Sequence, residues 1–144
     1  MARMIFVNLP VSDVAASTRF YEAIGFEKNA KFSNEQASSM VWADTIFVML
    51  LAHPFYATFT SKPIADARAT SGALYALSFD SRAEVDAIVE AAVAAGASEP
   101  HGPEDMGFMY SRAFEDLDGH GFGPFWMDPA TAEQGPPDHQ PVEG

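Results

Sequence analysis

The feature that most constrains the fold of this chain is an internal repeat of the order strand, helix and three further strands. In the first copy, an apolar strand is followed by Ser12-Asp13, whose side-chain oxygens are suited to capping a helix. Gly25 is a natural terminator for that helix. The predicted helix covers 12–23, and the predicted strands cover 5–11, 28–32, 39–42 and 46–52.

The second copy holds the most regularly patterned helix of the sequence. Ser81 and Glu84 stand in capping-box relation, and Gly96 marks the end of the helix. Apolar residues recur with the spacing of one buried helical face at Val85, Ile88, Val89, Ala92 and Val93. The predicted strands of this copy are 74–79, a weak one at 98–99, 109–115 and 122–127.

These two patterns predict a single α+β domain over 1–128 made of two βαβββ modules. Module one covers about 4–53, a connector covers 54–71, and module two covers about 72–128. A sequence of 144 residues with 48% apolar residues can bury one sizeable core. The segment 129–144 is acidic and rich in proline, and we expect it to be a flexible tail.

Composition excludes several classes of function. The net charge of −12 would repel nucleic acid, and the absence of cysteine excludes disulfides and thiol nucleophiles. The apolar stretch at the N-terminus is too short for a secretion signal, and no apolar run approaches the ~18 residues of a membrane span. The sequence therefore predicts a cytoplasmic protein without nucleic-acid or membrane partners.

Two groups of segments resemble a known superfamily. Residues 5–13 with 20–26, and the turn 114–120 (FEDLDGH), look like the strand-to-helix opening and the Asp-Gly-His turn of vicinal-oxygen-chelate proteins, which include glyoxalases, bleomycin resistance proteins and extradiol dioxygenases. Segments 49–53, 62–67, 107–112 and 126–129 resemble its lactoylglutathione lyase-related branch. The resemblance covers 4–129 and implies a homodimer in which a curled mixed sheet encloses a cavity.

The same resemblance assigns four positions that hold a divalent ion in the metalloenzymes of the superfamily. Counted from the matching motifs, these positions fall on Phe6, Met49, Leu74 and Gly123. None of these side chains can ligate a hard divalent ion. We therefore expect no metal cofactor at the usual site and no true glyoxalase I activity. A site built from His53, His101, Glu115 and His120 is conceivable, but no spacing supports it.

Strand alternation predicts which residues could line the cavity. The side chains that share the predicted faces are Phe6, Asn8 and Pro10; Phe47, Met49 and Leu51; Leu74, Ala76 and Ser78; and Gly121, Gly123 and Phe125. Such a lining is apolar with a few polar groups, which suits a hydrophobic or flat small molecule. The alternative is that these residues simply fill the interior.

Three further residues are candidates for chemistry. His53 follows a strand and could carry a proton at the cavity mouth, and Tyr110 could assist it in acid–base catalysis. Arg112 could clamp an anionic group of a ligand. The alternatives are a plain loop histidine at position 53, and an Arg112 that pairs with Glu115 or Asp105.

The leading hypothesis is a homodimeric protein that binds a small apolar or aromatic metabolite or drug, with the usual metal ligands replaced. A second is a lyase, isomerase or dioxygenase with a shifted metal site or with catalysis by His53 and Tyr110. A third is a binding module that sequesters its ligand without turnover. A shared fold does not decide among them.

Overall fold

The structure is a computed structural model, and it describes residues 2–135. Its strands are β1 (Ile5–Val11), β2 (Glu27–Lys28), β3 (Ala37–Ala43), β4 (Ile46–Ala52), β5 (Leu74–Phe79), β6 (Glu104–Asp105), β7 (Met109–Ser111), β8 (Phe114–Glu115) and β9 (Gly121–Met127). Its helices are α1 (Val14–Ala23), α2 (His53–Tyr56), α3 (Arg82–Ala94) and α4 (Pro129–Gln134), with short 3₁₀ turns at Ala30–Phe32 and Ala57–Phe59.

The strands form two mixed sheets with the same topology. The first has the order β1-β4-β3-β2 and the second has the order β5-β9-β7-β6, with β8 also paired to β9. In each sheet the first and last strands of the module are parallel neighbours, and the other pairs are antiparallel. The predicted α+β class with a duplicated βαβββ order is confirmed. The curling of the sheets around a shared cavity stays a prediction.

Both long helices begin where the capping residues predict. The Asp13 side chain accepts a hydrogen bond from the Ala16 amide, and the Ser81 hydroxyl accepts one from the Glu84 amide at 3.1 Å. The Glu84 carboxylate accepts in turn from the amide of Asp80, one residue earlier than in an ideal capping box. One detail of the prediction is wrong, because Val93 is 44% exposed. At ~100° per residue, the eight steps from Val85 to Val93 place Val93 about 80° away from Val85 around the helix axis.

The two modules share one hydrophobic core. Phe20 of α1 packs against Phe114 with ring centroids 6.2 Å apart, and Tyr21 packs against Phe122 at 6.0 Å. Phe114 and Phe122 stack on each other at 5.2 Å. Since aromatic side chains from both sequence copies bury one another, the modules form a single packed unit.

Local chemistry accounts for the places where predicted strands differ from the observed ones. The strand predicted at 28–32 ends at Lys28, because the Asn29 side chain accepts from the Lys31 amide and starts a 3₁₀ turn. The strand predicted at 109–115 is divided into β7 and β8, and the strand predicted at 98–99 is a single bridge from Ser98 to Glu115.

Two helices that the sequence pattern did not predict lie at the start of the connector and directly after the predicted domain. The connector opens with α2, which has Pro54 in its first turn. The segment predicted to be a flexible tail opens with α4, capped by the Asp128 side chain on the Thr131 amide at 3.2 Å. The rest of the predicted tail, 136–144, lies outside the described residues. Within 2–135, no helix has the length and apolarity that a bilayer crossing would need.

Candidate functional site

Each sheet has one face against the core and one open face. On β1, Leu9 and Val11 are buried, whereas Phe6 and Asn8 are exposed. The open face of the first sheet pairs Phe6 with Phe47, Asn8 with Met49 and Pro10 with Leu51, which is itself only 3% exposed. The open face of the second pairs Leu74 with Gly121, Ala76 with Gly123 and Ser78 with Phe125. The predicted facing of these residues is therefore correct.

These open faces expose an unusual amount of apolar surface. Leu74 is 78% exposed and Phe6 is 51% exposed, and the Phe6 ring stacks on Phe47 with centroids 4.5 Å apart. The interpretation that these residues fill the interior is wrong for Phe6 and Leu74, since the core lies on the other side of their strands. Exposed apolar side chains on adjacent strands are typical of a surface that binds something.

A cavity of about 430 Å³ lies where the two modules and the connector meet. Its polar and charged lining residues include Asn8, Tyr56, Arg68, Tyr75, Glu115 and His120. The connector supplies a wall of small residues from Ala65 to Ala73, and Leu74 continues it. A volume of this size suits a small organic molecule. A second cavity of about 230 Å³ adjoins Asn8 and Tyr56 on the side of Leu51, Phe59 and Thr60.

The cavity wall depends on the contact between the connector and the turn at 116–120. The Arg68 guanidinium donates to the Leu117 carbonyl at 2.7 Å and lies 3.7 Å from the Asp118 carboxylate. Gly119 packs against the backbone of Ala67 and Arg68 so closely that an added Cβ would lie 2.7 Å from the Arg68 nitrogen. The connector is therefore held over the cavity by one side chain and one backbone contact.

The same turn ties module two to module one through buried polar groups. The Tyr21 hydroxyl donates to Asp116, the Ser12 amide donates to Asp118 at 3.0 Å, and His120 Nε2 lies 2.8 Å from the Pro10 carbonyl. Burial raises the pKa of the Tyr21 hydroxyl well above its ordinary value, and the Asp116 carboxylate raises it further. Burial also raises the pKa of Asp116, although the hydrogen bond from Tyr21 opposes that rise. These groups are structural and position the cavity wall.

Tyr110 and Arg112 form a separate cluster with carboxylates of α3 and of the loop after it. The Tyr110 hydroxyl donates to Asp86 at 2.6 Å, which raises the pKa of Tyr110 and lowers that of Asp86. Arg112 is 11% exposed and contacts Asp86, Glu90 and Glu99 at 2.9 to 3.2 Å. Burial lowers the pKa of Arg112, but the three carboxylates outweigh it and the net shift is upward. Arg112 pairs with acidic residues as the alternative expected, but its partners are not Glu115 or Asp105.

His53 and His120 line one cavity, and His101 lies apart from them. His53 is the first residue of α2 and lines a cavity of about 270 Å³ on the other side of the connector, together with Asp66, Arg68 and His120. His101 is exposed, and its Nδ1 lies 2.9 Å from the Gly102 carbonyl. Among residues 2–135, no three His, Asp or Glu side chains are grouped so that they could hold a metal ion.

Comparison with known proteins decides the family. The model of the glyoxalase, bleomycin resistance protein and dioxygenase superfamily matches residues 3–123, which is most of the chain. The chain belongs to this superfamily. No curated protein matches it significantly.

Several solved structures share the fold. A hypothetical protein from S. aureus is 24% identical with a TM-score of 0.74, over 88% of this chain and 94% of that one. A glyoxalase/bleomycin resistance protein/dioxygenase family enzyme from Burkholderia phytofirmans is 21% identical with a TM-score of 0.72, over 88% and 99%. The bleomycin resistance determinant encoded on transposon Tn5 is 20% identical with a TM-score of 0.62, over 88% and 99%.

The resemblance implies a divalent ion in the metalloenzymes of the superfamily, and the residues at the four expected positions do not fit one. Phe6 and Met49 lie on the open face of the first sheet, and Leu74 and Gly123 lie on that of the second. Their side chains offer no oxygen or nitrogen, whereas hard divalent ions require carboxylate, carbonyl or imidazole ligands.

The sequence prediction missed much of the cavity. Tyr56, Arg68 and Tyr75 line it but were not among the predicted ligand-binding residues. Tyr56 and Arg68 belong to the connector, which has no periodic pattern that could assign a facing to its side chains. An available signal was the high share of small residues from Ala65 to Ala73, where Arg68 is the one long side chain, because small side chains leave space beside them.

Proposed function

We propose that this protein binds a small apolar or aromatic molecule at the 430 Å³ cavity and the adjoining open sheet faces, without a metal ion at the usual positions of the superfamily. The observation that carries this proposal is a cavity of ligand size bordered by the exposed Leu74, with the exposed Phe6 two residues before the cavity-lining Asn8 on the same strand. Burial of such surface by a ligand is favourable by about 25 cal/mol per Å².

The predicted residues contribute in different ways to this proposal. Asn8 and Leu74 line the cavity, and Phe6, Phe47 and Met49 continue its apolar surface along the first sheet. Ser78, Gly123 and Phe125 lie on the open face of the second sheet, further along the strands from Leu74 and Gly121. Arg112 and Tyr110 are held by carboxylates, so the proposal assigns them no contact with the ligand.

A second copy of the chain is the partner that the superfamily suggests. The strip Met4, Ile5 and Phe6 is more than half exposed, and Leu74 is exposed on the other sheet. Apolar area of this kind is stabilised when two identical surfaces cover it. The homodimer is accordingly part of the proposal, and sedimentation equilibrium measures it directly.

Titration of the ¹⁵N-labelled protein with indole, an uncharged aromatic probe, tests the proposed function. We expect chemical-shift changes at residues around Asn8, Tyr75 and Gly121. Leu74→Glu should weaken binding at least tenfold, since it places a charge against an apolar ligand at an exposed position that tolerates the change in the fold.

The matched control is Val93→Glu, which adds the same charge at an exposed apolar position on α3. It should bind indole like the parent protein. Absence of any saturable shift near the cavity in the parent, or equal loss of binding in both variants, would contradict the proposed function. Sedimentation of each variant separates a change in ligand affinity from a change in oligomeric state.

A further inference from the structure

We infer that the cavity selects uncharged aromatic ligands that carry a hydrogen-bond donor and acceptor side by side, as a carboxamide does. Asn8 is the residue whose side-chain amide hydrogen-bonds to this donor and acceptor. The inference rests on the proposed function and specifies its ligand class.

The position of Asn8 gives the first argument. Its side chain lies on the open face of β1 between two apolar neighbours, Phe6 and Pro10. It lines both the 430 Å³ cavity and the adjoining 230 Å³ cavity, and Tyr56 is shared by the same two cavities. A ligand that occupies either cavity therefore meets the Asn8 amide.

The chemistry of the lining gives the second argument. An asparagine amide offers one acceptor and two donors, so its best partner is another amide-like edge with the complementary pair. Tyr56 and Tyr75 add phenolic hydroxyls beside it. Burial raises the pKa of Tyr75 and the proximity of Tyr56 raises it further, so this hydroxyl stays a donor at neutral pH.

Charge gives the third argument, because the one guanidinium that lines the cavity is already partly engaged within the protein. Arg68 is the one lysine or arginine among the lining residues, and it donates to the Leu117 carbonyl at 2.7 Å and lies 3.7 Å from the Asp118 carboxylate. Glu115 adds a negative charge to the same lining, and the whole chain carries −12. A carboxylate ligand would therefore be repelled, whereas an uncharged amide would not.

The apolar walls give the fourth argument. Leu74 borders the large cavity and Leu51 and Phe59 border the small one, with Phe59 68% exposed. A flat ring can cover these side chains while its polar edge reaches Asn8. The lining therefore combines apolar side chains with the uncharged amide of Asn8.

Three probes that share one ring test the inference: indole, indole-3-carboxamide and indole-3-carboxylate, each titrated into the full-length protein and followed by ¹⁵N chemical shifts. We expect the carboxamide to bind about tenfold more tightly than indole, as two neutral hydrogen bonds imply. The carboxylate should bind more weakly than indole. Asn8→Leu, which keeps the branched shape of the side chain and removes the amide, should abolish the carboxamide preference and leave indole affinity within about twofold.

Gln36→Leu is the control, since it removes an exposed amide that does not line the cavity. It should keep the carboxamide preference, and unfolding curves of both variants establish that each is folded. If indole and its carboxamide bind equally, or if Asn8→Leu keeps the preference, the inference is overturned while the proposed function stands. If none of the three probes binds, both are overturned.

Discussion

Gly119 is the residue on which the cavity wall most directly depends. Its φ is +92°, a backbone conformation that residues with a Cβ rarely adopt, and an added Cβ would meet the backbone of Ala67 and Arg68 at 2.7 to 2.9 Å. Backbone atoms cannot move aside as a flexible side chain would. The glycine of the Asp-Gly-His turn therefore allows the connector to approach closely, in addition to making the turn.

We predict that Gly119→Ala destabilises the protein by about 2 kcal/mol or more, because it combines backbone strain with a steric conflict. Gly72→Ala is the matched control, since Gly72 directly follows the connector and an added Cβ there meets nothing within 4 Å. It should change the free energy of unfolding by less than about 0.5 kcal/mol. Urea denaturation measures both values, and equal effects of the two substitutions would refute the close-approach argument.

At the scale of elements, the turn 116–120 joins the second sheet to the first strand and first helix. Its Asp116 and Asp118 are only 5% and 6% exposed, and both carboxylates accept hydrogen bonds from module one. The polar atoms of this turn therefore fix how the two modules meet. Because burial disfavours the charged form of a carboxylate, the ionisation of such a residue makes the stability of the protein depend on pH.

Burial raises the folded-state pKa of Asp116 above the ~3.9 of an unfolded aspartate. The stability that it contributes is therefore fully present below about pH 4 and is lost as the pH rises through its folded-state pKa. Compared with Asp116→Asn, which cannot ionise, the parent protein should become progressively less stable as the pH rises from about 4, until Asp116 is fully ionised.

Urea denaturation of both proteins between about pH 4 and pH 7 measures this difference. Asp44→Asn, which removes an exposed carboxylate from the turn between β3 and β4, controls for the loss of one negative charge. A difference between the parent and Asp116→Asn that grows in favour of the parent with rising pH would show that the hydrogen bond from Tyr21 outweighs burial.

At the scale of the whole molecule, the periodic parts of the chain were predictable and the irregular parts were not. Strand alternation correctly predicted which side chains lie on the open faces, from Phe6 on β1 to Phe125 on β9. A period of two is a strong signal in apolar strands. The connector has no such period, so Tyr56 and Arg68 could not be placed. Helix α2 was missed for the same reason, since it has only four residues.

The ion pairs of Arg112 could not be predicted from the sequence for a different reason. The Arg112 side chain reaches Asp86, Glu90 and Glu99. Its two expected partners, Glu115 and Asp105, are closer to it in the sequence than Asp86 and Glu90 are. Which carboxylates meet an arginine depends on how α3 packs against the second sheet, and a chain with 20 acidic residues offers many candidates.

This chain of the glyoxalase superfamily is proposed to bind an uncharged aromatic ligand without a metal ion at the positions that hold one in the metalloenzymes of the superfamily. The dissociation constant of indole, measured by calorimetry first with excess EDTA and then with excess Ni²⁺, tests this proposal. We expect values that agree within about twofold, because Phe6, Met49, Leu74 and Gly123 offer no oxygen or nitrogen ligand to the ion. Binding that disappears in EDTA and returns with Ni²⁺ would contradict it.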